Sequence, residues 1–151
     1  MWASTVEQYV DGYYTSYRGT GTRLRIYLRS DKMMHSEDGV YVLAPGSYPV
    51  DLDYANKNGG DTPHIIVPGD ASMGGDDAMR YPVGSWYMEL DGTNTYVETA
   101  PLTGGELIVE YDEATGEYRL TCNFTDDRGN AITGTVVTKL DNMLENYTEI
   151  F

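Results

Sequence analysis

From Glu117 to Thr125 the chain reads "EYRLTCNFT", with Tyr118, Leu120, Cys122 and Phe124 on one side of a pleat and Arg119, Thr121, Asn123 and Thr125 on the other. A repeat of two residues suits a half-buried strand, and a helix would scatter the same apolar side chains around its surface. The pattern recurs in "GSWYMELD", "NTYVETA", "GELIVEYD" and "NAITGTVVTKL", all of strand length and all separated by turn residues. Apolar residues at sustained helical spacing are missing, and only the tail "LDNMLENYTEIF", residues 140–151, reads as a possible short C-terminal helix. These runs predict an all-β fold of about 8–10 strands, an antiparallel β-sandwich or a closed β-barrel, with a lipocalin-like barrel as the closed alternative. A chain of 151 residues suits one domain, so residues 1–151 are read as a single unit with 139–151 as its tail.

The first half is less regular. "YYTSYRGTGTRLRIYLRS", residues 13–30, reads as a hairpin whose two arms meet at Gly19-Thr20-Gly21-Thr22. Residues 40–43 predict a strand, Pro45-Gly46 a turn, and residues 48–54 a second strand. Residues 55–80 are rich in Gly, Asn and Asp and form the long loop of the molecule, broken only by the short strand "HIIV". In-phase positions place Leu24, Ile26, Leu28, Trp86, Met88, Leu90, Tyr118, Leu120 and Phe124 on one inner face, with Leu120 fully buried and Tyr87 pointing outward.

"CNFTDDRGNAITGTV" sets two adjacent carboxylates between strand-like runs, and a metal loop, a catalytic pair and a turn all compete for it. An EF-hand loop needs oxygen ligands at alternate positions, whereas the third position from Asp126 is the cation Arg128. The sequence Asp126-Asp127-Arg128-Gly129-Asn130 has the composition of a five-residue hairpin connection, and an exposed turn is expected there. Cys122 is expected to be a buried, inert thiol. His35 and His64 lack the neighbours of a nucleophile–base pair. The pairs Asp51/Asp53, Asp76/Asp77 and Asp126/Asp127 read as turn formers, so no catalytic residue, metal site or cofactor is assigned.

With 24 acidic against 10 basic residues and a net charge of −14, the chain repels phosphate backbones, and nucleic acid is not an expected partner. One cysteine excludes an intrachain disulfide framework. No run approaches the ~20 apolar residues of a membrane-spanning helix. The opening "MWASTVEQYVDGYY" has neither the basic start nor the apolar run of a signal peptide.

The succession "GYYTSYRGTGTRLRIYLRS", "YVLAPGSYPVDL", "GSWYMEL" and "PLTGGELIVEYDEATGEYRLTCNFTDDRGNAITGTV", spanning residues 12–138, resembles a family of secreted or lipid-anchored β-domains of Bacteroidales-type gut bacteria. The resemblance implies an exported domain, periplasmic or on the outer surface, whose lipid anchor would lie outside this chain. It carries no catalytic residues over. The expected function is a non-enzymatic binding or accessory module of the cell surface, taking a carbohydrate or another surface ligand. Its candidate residues are Tyr54, Asn56, Asn58, Asp61, Tyr81 and Tyr87, which pair aromatic rings with amide and carboxylate oxygens around the long loop, and the sheet face around Arg25, Tyr27 and Arg29 is the next candidate. Two alternatives stand beside it: a carboxylate-dependent glycan hydrolase, and a structural or adhesive subunit that pairs through an edge strand.

Overall fold

The computed structural model describes residues 7–11, 14–29, 34–35, 41–54, 64–70, 83–93 and 96–139. Those residues form twelve strands and no helix. The first half supplies β1 (Glu7–Asp11), β2 (Tyr14–Arg18), β3 (Thr20–Arg25), β4 (Leu28–Arg29), β5 (Met34–His35), β6 (Tyr41–Val42), β7 (Gly46–Pro49) and β8 (Ile65–Ile66). The second supplies β9 (Trp86–Asp91), β10 (Tyr96–Asp112), β11 (Glu117–Asp126) and β12 (Ala131–Thr138). Six of them form the main antiparallel sheet, in the order β12-β11-β10-β9-β3 with β7 added along β10. The architecture is all-β and strongly curled, a half-barrel that fits either the sandwich or the barrel expectation. No helix among the described residues is long and apolar enough to cross a membrane. The tail 140–151, and the long loop apart from residues 64–70, lie outside the described residues.

The 17-residue strand β10 is the spine of the sheet. Its first part pairs with β9, Pro101 lying opposite Trp86, and its second part pairs with β11 on one edge and with β7 on the other. The sequence "PLTGG" reads as a turn between two strands, yet the chain continues through it as a bulge. Leu102 faces Asp126 and Gly105 faces Phe124, so three steps on β10 match two on β11. Gly105 has φ +88°, and an added Cβ would collide with the carbonyl oxygen of Asn123 and reach the Phe124 Cα at 2.8 Å. Proline survives in this long strand because both backbone groups of Leu102 face residues 69 and 85, bonding Gly69 N and Ser85 O. By alternation the backbone of Pro101 faces the opposite edge, where the β11 ladder begins only at Leu102.

One extra residue inverts which side chains of β10 point inward. Leu102 lies in the same buried cluster as Leu107 and Val109, an even position together with odd ones, and Leu43, Tyr48, Ile66, Tyr118, Cys122 and Phe124 complete that cluster. Its buried phenols are satisfied by one backbone segment: the Tyr48 hydroxyl donates to Ala44 O at 2.6 Å and that of Tyr118 to Leu43 O at 3.2 Å. Burial pushes the Tyr118 phenol up to about 12 from its usual 10.0, with the neighbouring Tyr111 adding to the shift.

The single inner face expected from the alternation divides in two. Leu24 pairs with Tyr87 across β3 and β9, so it packs with Ile26 and Leu28 on the main cluster. Trp86, Met88 and Leu90 point the other way and form a second cluster with Tyr17. Tyr87, expected to face outward, is half-buried against the main cluster, because both faces of β9 are covered. Leu120 is half-buried rather than fully buried, since its cross-strand neighbour Val136 lies on the exposed edge strand.

The expected hairpin at Gly19 to Thr22 does not form. Gly19, at φ +116°, turns the chain out of β2, which pairs with β1, and into β3, which pairs with β9. Tyr17 stays close through its side chain, accepting from Arg25 Nη1 at 3.2 Å beneath the Arg23 guanidinium, 5.3 Å from its ring centroid.

The bulge yields a direct test. Gly105→Ala forces a side chain into a positive-φ position against backbone and is expected to cost on the order of 2 kcal/mol or more. Gly134→Ala, where an added Cβ meets nothing within 4 Å, should shift stability by less than about 0.5 kcal/mol. Denaturant unfolding of the two variants checks the difference.

Candidate functional site

Tyr27, Arg29 and Tyr54 come together where β4 meets the turn after β7. The extended connector between β3 and β4 is fixed from both sides. Tyr27 N donates to Ser85 Oγ at 2.8 Å, and Tyr27 O accepts from Val67 N at 2.8 Å. Ser85 is fully buried, so its hydroxyl anchors this connector at the end of β9. Arg29 follows two residues later, paired with Ile65 of β8. Tyr54 closes a turn in which its own N–H donates to Asp51 O at 3.1 Å, and Asp51 Oδ1 accepts from Asp53 N at 3.1 Å.

The result is a cation over an aromatic face. The Arg29 guanidinium carbon lies 5.3 Å from the centroid of the Tyr54 ring. Burial raises the Tyr54 phenol above its usual 10.0; the neighbouring Tyr27 phenol and a hydrogen bond between the two add to this, and Arg29 opposes it. Two phenol hydroxyls and a guanidinium therefore share one half-buried patch whose backbone is held by the core. Such a surface offers ring faces for stacking and directional donors for oxygen atoms.

Of the expected binding residues, Tyr54 lies in this patch, whereas Tyr87 stands on β9 with its hydroxyl 3.5 Å from Glu89 Oε2. Asn56, Asn58, Asp61 and Tyr81 lie outside the described residues. The face of Arg25, Tyr27 and Arg29 is the second place the sequence offers for a ligand, but its approach to Tyr54 depends on the Ser85 anchor before β9, far away in sequence.

The acidic clusters take another role. The Asp126 carboxylate accepts from Arg128 N at 2.9 Å, Asn130 N at 2.7 Å and Asn130 Nδ2 at 2.9 Å. The turn is as expected, but Asp126 itself is buried beneath it and only the residues after it are exposed. Asp91 accepts from both Thr93 N and its hydroxyl, and Asp112 accepts from Ala114 N. An open groove of about 420 Å³ at the β10–β11 turn is lined by Glu110, Asp112, Glu113 and Glu117. Among the described residues no three His, Cys, Asp or Glu side chains are placed to hold a metal ion. Cys122 is buried, and burial pushes its thiol up, away from the thiolate a nucleophile needs. His64 is held at φ +55° with its ring stacked on Tyr48, centroids 4.8 Å apart and planes 2° from parallel.

No protein-family model, curated protein or solved structure matches this chain.

Asp126 allows a prediction with a definite sign. The hydrogen bond from Asn130 is the largest of the effects that lower its carboxyl below 3.8. Its contribution to stability is therefore complete above that value and is lost as the pH falls through the lower folded value. Asp126→Ala should cost about 1–3 kcal/mol at neutral pH, and Asp127→Ala within about 0.5 kcal/mol. The gap between parent and Asp126→Ala should close in acid, as measured by urea unfolding across pH. A calcium-dependent gain in melting temperature that the Asp126 change abolishes would restore the metal reading.

Proposed function

We propose that this chain is a non-enzymatic binding module of an exported bacterial protein, displayed at the cell surface, and that it takes a carbohydrate through the patch of Tyr27, Arg29 and Tyr54. The observation that carries this reading is the Arg29 guanidinium over the Tyr54 ring, on a connector anchored by buried Ser85. A sugar presents C–H faces that stack on a phenol ring and hydroxyls that accept from a guanidinium or bond to a phenol. Because the groups are already in place, little side-chain ordering would remain to be met on binding. Export and surface display follow from the family resemblance.

The hydrolase alternative is less well supported. Asp51, Asp91, Asp112 and Asp126 each accept hydrogen bonds inside their own turns, as turn formers do, and most of the long loop from which a hydrolase would draw its carboxylates lies outside the described residues.

A glycan array probed with the purified chain, followed by calorimetry on any hit, tests the proposal. Arg29→Ala and Tyr54→Ala should each weaken a hit by about tenfold or more. Tyr87→Phe should leave it within about twofold, because that hydroxyl faces Glu89. Undiminished binding by the Arg29 and Tyr54 variants would move the site elsewhere.

A further inference from the structure

Strand β12 ends the main sheet, and no described strand pairs with its outer edge. Its sequence "AITGTVVT" contains no charge and no proline, and most of its side chains are exposed, including Val136 at 47% and Val137 at 50%. A long, uncharged, β-branched edge is a template for another strand unless something guards it. The strand at the far end of the sheet is guarded: β3 carries Arg23 and Arg25, both engaged with Tyr17. The other long strands carry carboxylates, such as Glu89 in β9, Glu106 and Glu110 in β10 and Glu117 in β11. In a chain of net charge −14, β12 is therefore where two copies can approach with the least like-charge repulsion.

We infer that β12 pairs with β12 of a second copy, antiparallel about a two-fold axis through Gly134. Such an axis stands perpendicular to the sheet and keeps the inner face of each copy on the same side, so facing residues must share parity. Centred on Gly134, the register sets Ile132 opposite Val136 on the inner side and Ala131 opposite Val137 and Thr133 opposite Thr135 on the outer side. Every pair from Ala131 to Val137 is then uncharged, and β-branched residues meet aliphatic or β-branched partners. The same register brings exposed Lys139 of one copy alongside the exposed turn of the other, where Asp127 and Arg128 offset each other in charge. The assembly is closed and isologous, pairing the two β12 edges that no described strand covers and continuing the sheet from one copy into the next.

Sedimentation equilibrium of the whole chain tests this, with circular dichroism as the check that each variant is folded. The parent is expected to be a dimer that dissociates on dilution. Gly134→Glu, where an added Cβ meets nothing within 4 Å, sets two carboxylates directly opposite each other on the axis and should weaken association by about tenfold or more. A parent that stays monomeric at every accessible concentration overturns the inference, as does a dimer unaffected by Gly134→Glu. Cysteine pairing reads the register: a mixture of Thr133→Cys and Thr135→Cys chains should form a mixed disulfide. Efficient self-crosslinking of Thr135→Cys alone, equal to that of the mixture, would overturn the Gly134-centred register.

Discussion

The bulge between Leu102 and Gly104 is the constraint on which the rest of this architecture depends. A straight 17-residue strand would give β9, β7 and β11 a single plane and the chain a single inner face. By adding one residue against Asp126 and Thr125, the bulge turns Leu107 and Val109 toward the cluster that Leu102 already occupies, and the sheet curls around it. Because β9 pairs only before this point, its Trp86, Met88 and Leu90 are free to build a separate cluster on the reverse face. Glycine at 105 is what permits the close approach to Asn123 and Phe124.

Around that spine, buried polar groups fix the irregular segments that a sheet alone would leave loose. The Tyr48 and Tyr118 hydroxyls hold residues 43–44 across the main cluster, Trp86 Nε1 donates to Val83 O at 2.8 Å, and Ser85 Oγ fixes Tyr27. Among the described residues no buried side-chain nitrogen or oxygen lacks a hydrogen-bond partner. An unmet buried donor or acceptor costs about 1–3 kcal/mol, so these contacts specify one loop arrangement as well as stabilising it. The proposed ligand patch inherits its rigidity from them, through Ser85 at one side and the Asp51–Tyr54 turn at the other.

Alternation in "EYRLTCNFT" was enough to read β11, its inward Cys122 and the turn that follows. It could not relate the phase of one run to that of another, which is why Leu24 was grouped with Trp86 although the two lie on opposite faces of the sheet. "PLTGG" misled for a related reason: proline and glycine mark a turn locally, and only the paired strands show that the chain passes straight through a bulge. Gly19 looked like the apex of a hairpin because the partner of β2 is β1, which carries no comparable signal. At the candidate site, Tyr54 was legible from its position beside the long loop. Arg29 and Tyr27 were legible as a separate sheet face, but their approach to Tyr54 was not, since it depends on long-range bonds to Ser85 and Val67.

Native-state amide hydrogen exchange tests most directly whether the bulged strand ties both halves of the sheet into one cooperative unit. If it does, the protected amides of β10 on both sides of Gly105, and those of β9 and β11 that pair with them, should share one opening free energy equal to that of global unfolding. Exchange of the β9 half at a distinctly lower free energy than the β11 half would contradict it, because the two clusters would then open independently.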